Sequence, residues 1–463
     1  MRRFVLPKKS QQTTVSKIKM RITTSPTSRL IGTFCIGTAV SSSAMADFLS
    51  DSHSTLGLRN YYINSDFRDG SAAPSKSEEW AQGFMLKFES GYTSGPIGFG
   101  VDALGLAAVK LDGGKGHHPG GSMIPDDSNG SGVNEWSRLG LTGKARFSKT
   151  ELRYGTLTPK LPILVSSDAR LLPQTFEGLL VTSKEIDDLT LTAGWIDKAT
   201  GRASTNRTGL AVLGPTTGNE ESDGLFLAGA DYKITKQLTG QYYYSNLKDY
   251  YTQNFLGLIH LLPIGDDQSL KTDLRYFRTR SDGANSSASG RADGYRVGGY
   301  TKNGTGEIDN DTWSAYMTYS HGSHTFTAGY QRVSDDSNFV QPNQNGLGEG
   351  AVGAAIYLYT DRLVGQFNRA GENTKYGAYG YDFAALGVPG LTTSISYYGG
   401  EGIKTASGRD ANEWERDLFV DYVIQSGPLK GVGLGWRNIM YRGDIQRDQD
   451  ENRLIISYAF SLL

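Results

Sequence analysis

The sequence predicts an all-β protein: a transmembrane antiparallel β-barrel of eighteen strands. Three observations predict it. Apolar and polar residues alternate with a period of two over runs of about ten residues, the length a tilted strand needs to cross an outer membrane. Tight connections alternate with long ones along the chain. After residue 46, no stretch approaches the ~18 consecutive apolar residues of a spanning helix. A membrane protein made from this chain must therefore be a closed barrel, because only helices and barrels satisfy every backbone group in lipid.

Composition narrows the function. The chain has 463 residues, with 47 Lys and Arg against 48 Asp and Glu. Residues 1–46 hold eight of the basic residues and no acid, so residues 47–463 carry a formal charge of −9. That balance disfavours a nucleic-acid partner, which calls for a basic excess. With 38% hydrophobic residues and 26 tyrosines, the chain is too aromatic for disorder and too polar for a bundle of membrane helices.

The first segment reads as an export signal. Arg29 precedes an apolar run from Leu30 to Val40, and small residues follow up to Ala44-Met-Ala46. A charged flank, a short apolar run and an A-x-A-like site predict a secretory signal peptide over residues 1–46, starting from Met1 or Met20. The mature domain is then 47–463. The single cysteine, Cys35, lies in the apolar run. The mature chain has no thiol for catalysis, metal binding or disulfides.

Alternation runs through the rest. From Ser137 to Phe147, Leu139, Leu141, Ala145 and Phe147 alternate with Arg138, Thr142, Lys144 and Arg146. Leu189-Thr-Leu-Thr-Ala-Gly-Trp195 repeats the pattern, as do Leu238–Asn246 and the terminal Leu454, Ile456, Tyr458, Phe460 and Leu462. Lys144 and Arg146 on one face indicate that the polar face is wet. Eight short turn signals punctuate the chain, at Ser94-Gly-Pro96, Ser148-Lys149, Asp187-Asp188, Thr235-Lys236, Gly265-Asp-Asp267, His321-Gly-Ser323, Val388-Pro-Gly390 and Ser426-Gly-Pro428. Long polar connectors lie between them, at residues 112–134, 158–175, 199–222, 280–310 and 335–374. Eight turns at one end, with both termini there too, imply nine hairpins and eighteen strands. A barrel that wide holds an aqueous channel.

Short blocks recur in order over more than 350 residues: Leu58-Arg-Asn-Tyr-Tyr62, Gly98-Phe-Gly-Val-Asp-Ala103, Arg170-Leu-Leu-Pro-Gln-Thr175, Gly387-Val-Pro-Gly-Leu391, Val423-Ile-Gln-Ser-Gly-Pro428 and Asn452-Arg-Leu-Ile455. In these blocks the chain resembles the OprD family of substrate-specific porins of the Gram-negative outer membrane. The resemblance implies an eighteen-stranded barrel constricted by its third loop, residues 158–175, and its seventh, residues 335–374. It also implies a row of lumenal basic residues that bind carboxylate-bearing nutrients. In the third loop, Leu161-Pro-Ile-Leu-Val165 reads as a segment packed inside the barrel.

Parity places candidates for that row. If Leu56 and Leu58 face lipid, Arg59 faces the lumen, and by the same rule Arg138, Lys144, Arg146, Arg153, Lys271, Arg275, Arg437 and Arg453 point inward. A charge facing lipid at mid-depth costs about 2–4 kcal/mol. The competing reading is that these residues only solvate the wall and pair with Asp273, Asp417 and Asp421. Arg170 stands apart, in the constriction loop, where its planar fork suits a carboxylate. The substrate-binding candidates are therefore Arg170, Arg59, Arg146, Arg153, Arg275, Arg437 and Arg453. Where relatives that take basic amino acids carry acids or arginines, this chain has Ala354, Gln366, Gly435 and Ser396, which favours a neutral or acidic solute.

The sequence thus predicts an outer-membrane porin for small, carboxylate-bearing or neutral solutes, a monomer or loose trimer in lipid, with no cofactor, no metal and no enzymatic activity. A carbohydrate-selective or general channel is the nearer alternative, because Tyr242, Tyr243, Tyr244, Tyr250 and Tyr251 could form an aromatic slide. An outer-membrane hydrolase is more remote. His53, His117, His118, His321 and His324 sit in loops, turns or near a terminus, outside any nucleophile motif, and Asp309-Asn-Asp311 lacks the spacing and glycine of a calcium loop. Terminal sequencing of the outer-membrane form should read Asp47 first, and an intact Met1 or Met20 would contradict the export signal.

Overall fold

In the computed structural model, the described residues are 48, 50–68, 74–120, 122–212, 219–345 and 354–463. Residues 1–46, where a signal peptide is expected, lie outside them. Eighteen long strands form the barrel: β1 His53–Phe67, β2 Lys76–Glu89, β3 Ile97–Asp112, β4 Glu135–Phe147, β5 Thr150–Leu157, β6 Thr175–Ser183, β7 Leu189–Thr200, β8 Leu225–Lys233 and β9 Leu238–Leu247 make its first half. The second half is β10 Tyr251–Gly265, β11 Gln268–Ser281, β12 Asp309–His321, β13 His324–Val333, β14 Asn373–Asp382, β15 Leu391–Ile403, β16 Ala411–Val423, β17 Gly433–Gly443 and β18 Gln449–Ser461. Each pairs antiparallel with its sequence neighbours, and β1 closes the ring by pairing with both β2 and β18, with Leu58 opposite Phe84 on one side and Tyr458 on the other. Closure leaves no strand edge to satisfy.

All eight short signals are turns at one end of the barrel. Three are two-residue connections, Ser148-Lys149, Asp266-Asp267 and Gly322-Ser323. Gly322 adopts φ +53°, a conformation glycine takes without steric cost. The long connectors all lie at the other end. β4 shows the parity: Leu139, Leu141 and Phe147 are 71%, 58% and 61% exposed, whereas Thr142 and Lys144 are buried. Leu191, Tyr242 and Ile456 face outward on their strands, and Thr192 is buried on the opposite face.

The lumen is not an empty tube. Long loops fold into it and form two apolar cores. One gathers Ile163 and Leu164 of the third loop with Phe176, Phe255, Phe277 and Phe339. The other gathers Leu171 and Leu172 with Met123, Ile124, Leu106 and Trp136. The apolar stretch Leu161–Val165 therefore packs inside the barrel, as its composition indicated. No helix among the described residues is long and apolar enough to cross a membrane.

Lipid-facing and lumenal substitutions should behave differently. Leu139→Arg puts a cation against lipid at a cost of about 2–4 kcal/mol and should sharply lower the yield of folded, heat-modifiable barrel. Gln241→Lys, on the lumenal face where Gln241 Nε2 donates to Asp231 Oδ1 at 2.6 Å, should fold like the wild type.

Candidate functional site: the loop constriction

The third loop, residues 158–174, is held in the lumen by β1 and β2. Its first part is a small hairpin, Lys160–Leu161 against Leu164–Val165. Arg59 Nη1 on β1 donates to Arg170 O at 2.6 Å and Leu171 O at 3.3 Å, and it forms an ion pair with Asp168 at 2.8 Å. Tyr61 Oη donates to Ala169 O at 3.3 Å. On β2, a side chain at Gly83 would press on Leu171, whose nearest atoms lie 3.0–3.1 Å from an added Cβ. Glycine there makes room for the loop. Arg138 closes the far end, donating to Gly201 O at 2.8 Å and Ser204 O at 3.2 Å, and to Pro173 O.

The seventh loop, residues 334–372, is clasped by one acidic face of β16. Glu415 accepts the backbone N–H of Leu363, Val364 and Gly365 at 3.1, 3.3 and 2.6 Å. Asp417 accepts Arg362 Nε and Nη2 at 2.9 and 2.7 Å. Glu413 meets Arg369 at 3.5 Å and Tyr441. The loops also bind one another. Gln341 Nε2 donates to Pro162 O at 2.8 Å and Gln174 Nε2 to Asn343 Oδ1 at 3.0 Å. In the fourth loop, residues 201–224, Leu210 and Ala211 pair with Gln344 and Asn343.

These loops enclose a cavity of about 530 Å³, within the usual range for small-molecule sites, lined by Arg170, Arg202, Asp361, Arg362, Gln366 and Arg369 among others. Four arginines there face two aspartates, Asp168 and Asp361. A second cavity of about 480 Å³ lies against Asp102, Glu151, Arg153 and Lys160, and Asp168 borders both. Arg170 is 9% exposed. Its one hydrogen bond among the described residues runs from Nη1 to Ala169 O at 3.0 Å, and its Nε is buried without a partner. Burial, together with the nearby Arg453, pulls its pKa down. Burial and the Arg170 charge depress Arg202 to about 9, still cationic at neutral pH.

The other row residues are placed as follows. Arg59 and Arg453 serve the loops: Arg453 is 1% exposed, bound to Glu451 at 2.5 Å and to Leu363 O at 2.7 Å. Arg275 pairs with Asp273 at 3.0 Å and is sandwiched between Tyr357 and Tyr359. Arg437 pairs with Asp421 at 2.7 Å over the Phe419 ring. Arg153 pairs with Glu151 at 2.5 Å and Asp102 at 3.2 Å, and Lys144 with Asp102 at 2.6 Å. Arg146, at the turn end, lies over Tyr92. All face inward, but of the candidates only Arg170 lines the loop-enclosed cavity. Of the positions expected to depart from relatives, Ala354 and Gln366 line that cavity and Ser396 sits 3.5 Å from Asp417.

Sequence reading missed Arg202, Asp361 and Arg362, which share that cavity. It also treated His118 as an ordinary loop residue, whereas His118 bridges Glu79 at 3.0 Å and Asp126 at 2.9 Å and ties the second loop to β2. Asp309 and Asp311 both pair with Arg280, at 3.0 and 2.5 Å. Tyr243, Tyr250 and Tyr251 are buried in the core and Tyr242 faces outward, so none of them lines the cavity.

A closed barrel with a polar, loop-narrowed lumen and an apolar outer belt is an outer-membrane channel. Residues 46–462 match the model of the family described as outer membrane porin, OprD family. The chain belongs to the OprD family. It is 35% identical over 439 residues to the porin-like protein GalP of Pseudomonas putida, covering 94% of this chain and 98% of that one. Among solved structures it is similar to Pseudomonas aeruginosa OccK8 (OprE), with TM-score 0.82, 49% identity and coverage of 90% of this chain and 100% of that one. It is also similar to Pseudomonas aeruginosa OpdK solved with vanillate, with TM-score 0.78, 35% identity and coverage of 89% and 100%. These relatives are channels rather than enzymes, and the protein is a substrate-specific porin of the Gram-negative outer membrane.

The base of the seventh loop carries a pH-sensitive contact. Glu372 is buried, and burial followed by the Glu413 charge raises its pKa well above the ordinary 4.5. A raised folded-state pKa means that the folded protein retains a proton the unfolded chain has lost. The contribution of this contact is thus complete below about pH 4.5 and falls as pH rises through the higher folded value. Hydrogen exchange of seventh-loop amides should accelerate as pH rises above the ordinary carboxyl range and through the raised value of Glu372. Glu372→Gln, which is uncharged at any pH, should abolish that part of the dependence beyond the intrinsic chemistry of exchange.

Proposed function

We propose that the channel passes small solutes bearing a carboxylate, and that Arg170 is the group that meets it. The observation that carries this reading is the state of the arginine row. Arg59, Arg153, Arg275, Arg437 and Arg453 each hold a carboxylate partner of the protein, and Arg146 lies over the Tyr92 ring, outside the loop-enclosed cavity. Arg170 holds none among the described residues and presents its guanidinium in the cavity between the third, fourth and seventh loops. A carboxylate there gains charge-assisted bonds at a guanidinium whose desolvation has already occurred. Arg202 strengthens the same field. Arg153 and Arg146 extend a basic track toward the turn end, and weak, repeated contacts of this kind let a solute enter and leave. Arg275, Arg437, Arg59 and Arg453 support the walls and loops. The bound vanillate of the similar channel OpdK, an aromatic carboxylate, agrees with this substrate class.

Liposome uptake with a panel of aromatic and aliphatic carboxylates and neutral sugars tests the reading. Carboxylates should enter faster than sugars of similar size. Arg170→Ala should slow carboxylate uptake about tenfold, the loss of one hydrogen bond to a charged group, and should leave sugar uptake unchanged or faster. Arg138 is a poor control, because its guanidinium staples the loops through backbone carbonyls. Arg437→Gln, on the wall, serves better and should slow carboxylate uptake far less. Equal effects of Arg170→Ala and Arg437→Gln would contradict the assignment of Arg170.

A further inference from the structure

The cavity that holds Arg170 also holds a carboxylate of unusual standing. Asp361 lies on the seventh loop, partly buried, and lines the cavity among the loops. Its oxygens are held by neutral groups: Ile356 N donates to Oδ2 at 3.0 Å and Gln366 Nε2 to Oδ1 at 3.1 Å. Gln366 is itself fixed by Ala354 O at 3.0 Å. Arg362, the next residue, directs its guanidinium to Asp417 on β16. Asp361 therefore forms no ion pair among the described residues, and its charge is felt by the cavity rather than absorbed by one partner. The charged groups around it are Arg202 from the fourth loop and Arg362 from its own. Arg170 and Arg453 stand behind Arg202.

We propose that Asp361 is a specificity-determining residue of the constriction: ionised, it lowers the net positive charge of the cavity and tempers anion preference, and protonated, it leaves the cavity one charge more positive and sharpens that preference. Geometry motivates the claim, since the carboxylate borders the same space as Arg170 and is oriented there by an amide and a backbone N–H. Burial also pushes its pKa up to about 6, against the opposing pull of Arg202 and Arg362. The sign follows. Acidification through that value removes one negative charge from the cavity while every arginine stays cationic, so anions gain. In a narrow, partly desolvated passage a single charge weighs more than one on an open wall. The inference rests on the carboxylate reading of the same site.

The test is the reversal potential of single channels in a potassium chloride gradient, at about pH 7.5 and about pH 5, on either side of an ordinary-to-raised carboxyl titration. The wild-type chloride-to-potassium permeability ratio should rise roughly threefold on acidification. Asp361→Asn, which keeps the shape and the acceptor for Ile356 N, should show the higher ratio at both pH values. Asp361→Glu should keep a step. Heat-modifiable migration of both variants confirms that the barrels are folded. A wild type without a step, or a step that survives in Asp361→Asn, overturns the proposal. A wild type that prefers potassium at both pH values, with a step lost in Asp361→Asn, would sink the carboxylate reading and leave Asp361 as the selectivity group.

Discussion

Lipid offers no hydrogen bonds to a peptide group, and the rest of this structure follows from that constraint. Strands can cross only if every N–H and C=O is paired between neighbours, so the sheet must close, as β1 does by pairing with both β2 and β18. Closure at eighteen strands makes the lumen too wide for wall side chains to fill. A selective pore therefore needs material brought in from the loops, and that material must be tied down by the side chains that line the wall.

The ties are mostly charged. Loop backbone folded into a lumen brings unpaired amides and carbonyls with it, and each needs a partner. Glu415 supplies three N–H groups of the seventh loop with acceptors, and Arg59 supplies two carbonyls of the third with a donor. These pairs bury charge, which stabilises only where geometry and extra hydrogen bonds compensate. Removing one partner, as in Asp417→Ala beside Arg362, leaves a buried unpaired ion at a cost of about 3–5 kcal/mol. Most of the wall's basic residues are thus engaged by protein carboxylates, and among the candidates Arg170 is the one that lines the loop-enclosed cavity without such a partner among the described residues. Arg170 is held by its own backbone carbonyl, which Arg59 grips, and its guanidinium borders the cavity, where we propose it meets a solute.

The barrel was legible in the sequence because its rules are local. A period of two fixes which face meets lipid, and Gly, Pro, Asp and Ser mark each turn, so β4 and the turn at Ser148-Lys149 could be placed from a dozen residues. The inward direction of Arg59, Arg153, Arg275, Arg437 and Arg453 came from the same parity. Their partners did not, because parity says which side a residue faces and nothing about what arrives there. Arg59 meets Asp168 across 109 residues of chain, and Arg362 meets Asp417 across 55. Loops carry no period, so Arg202, Asp361 and Arg362 gave no comparable signal. A weak one was present: Asp361-Arg362 is a charged pair within the aromatic and aliphatic run from Ile356 to Val364, and charge embedded in apolar sequence usually has a buried counterpart.

The central claim is that the solute's carboxylate meets the Arg170 guanidinium, which lines the loop cavity without a protein carboxylate among the described residues. Crystals grown with a bromine-substituted benzoate test it directly, because bromine's anomalous signal fixes where the ligand lies. The account predicts a peak in the cavity between the third, fourth and seventh loops, with carboxylate oxygens within hydrogen-bonding distance of Arg170. A ligand seated instead on Arg437 or Arg275 at the wall, with Arg170 untouched, would contradict it.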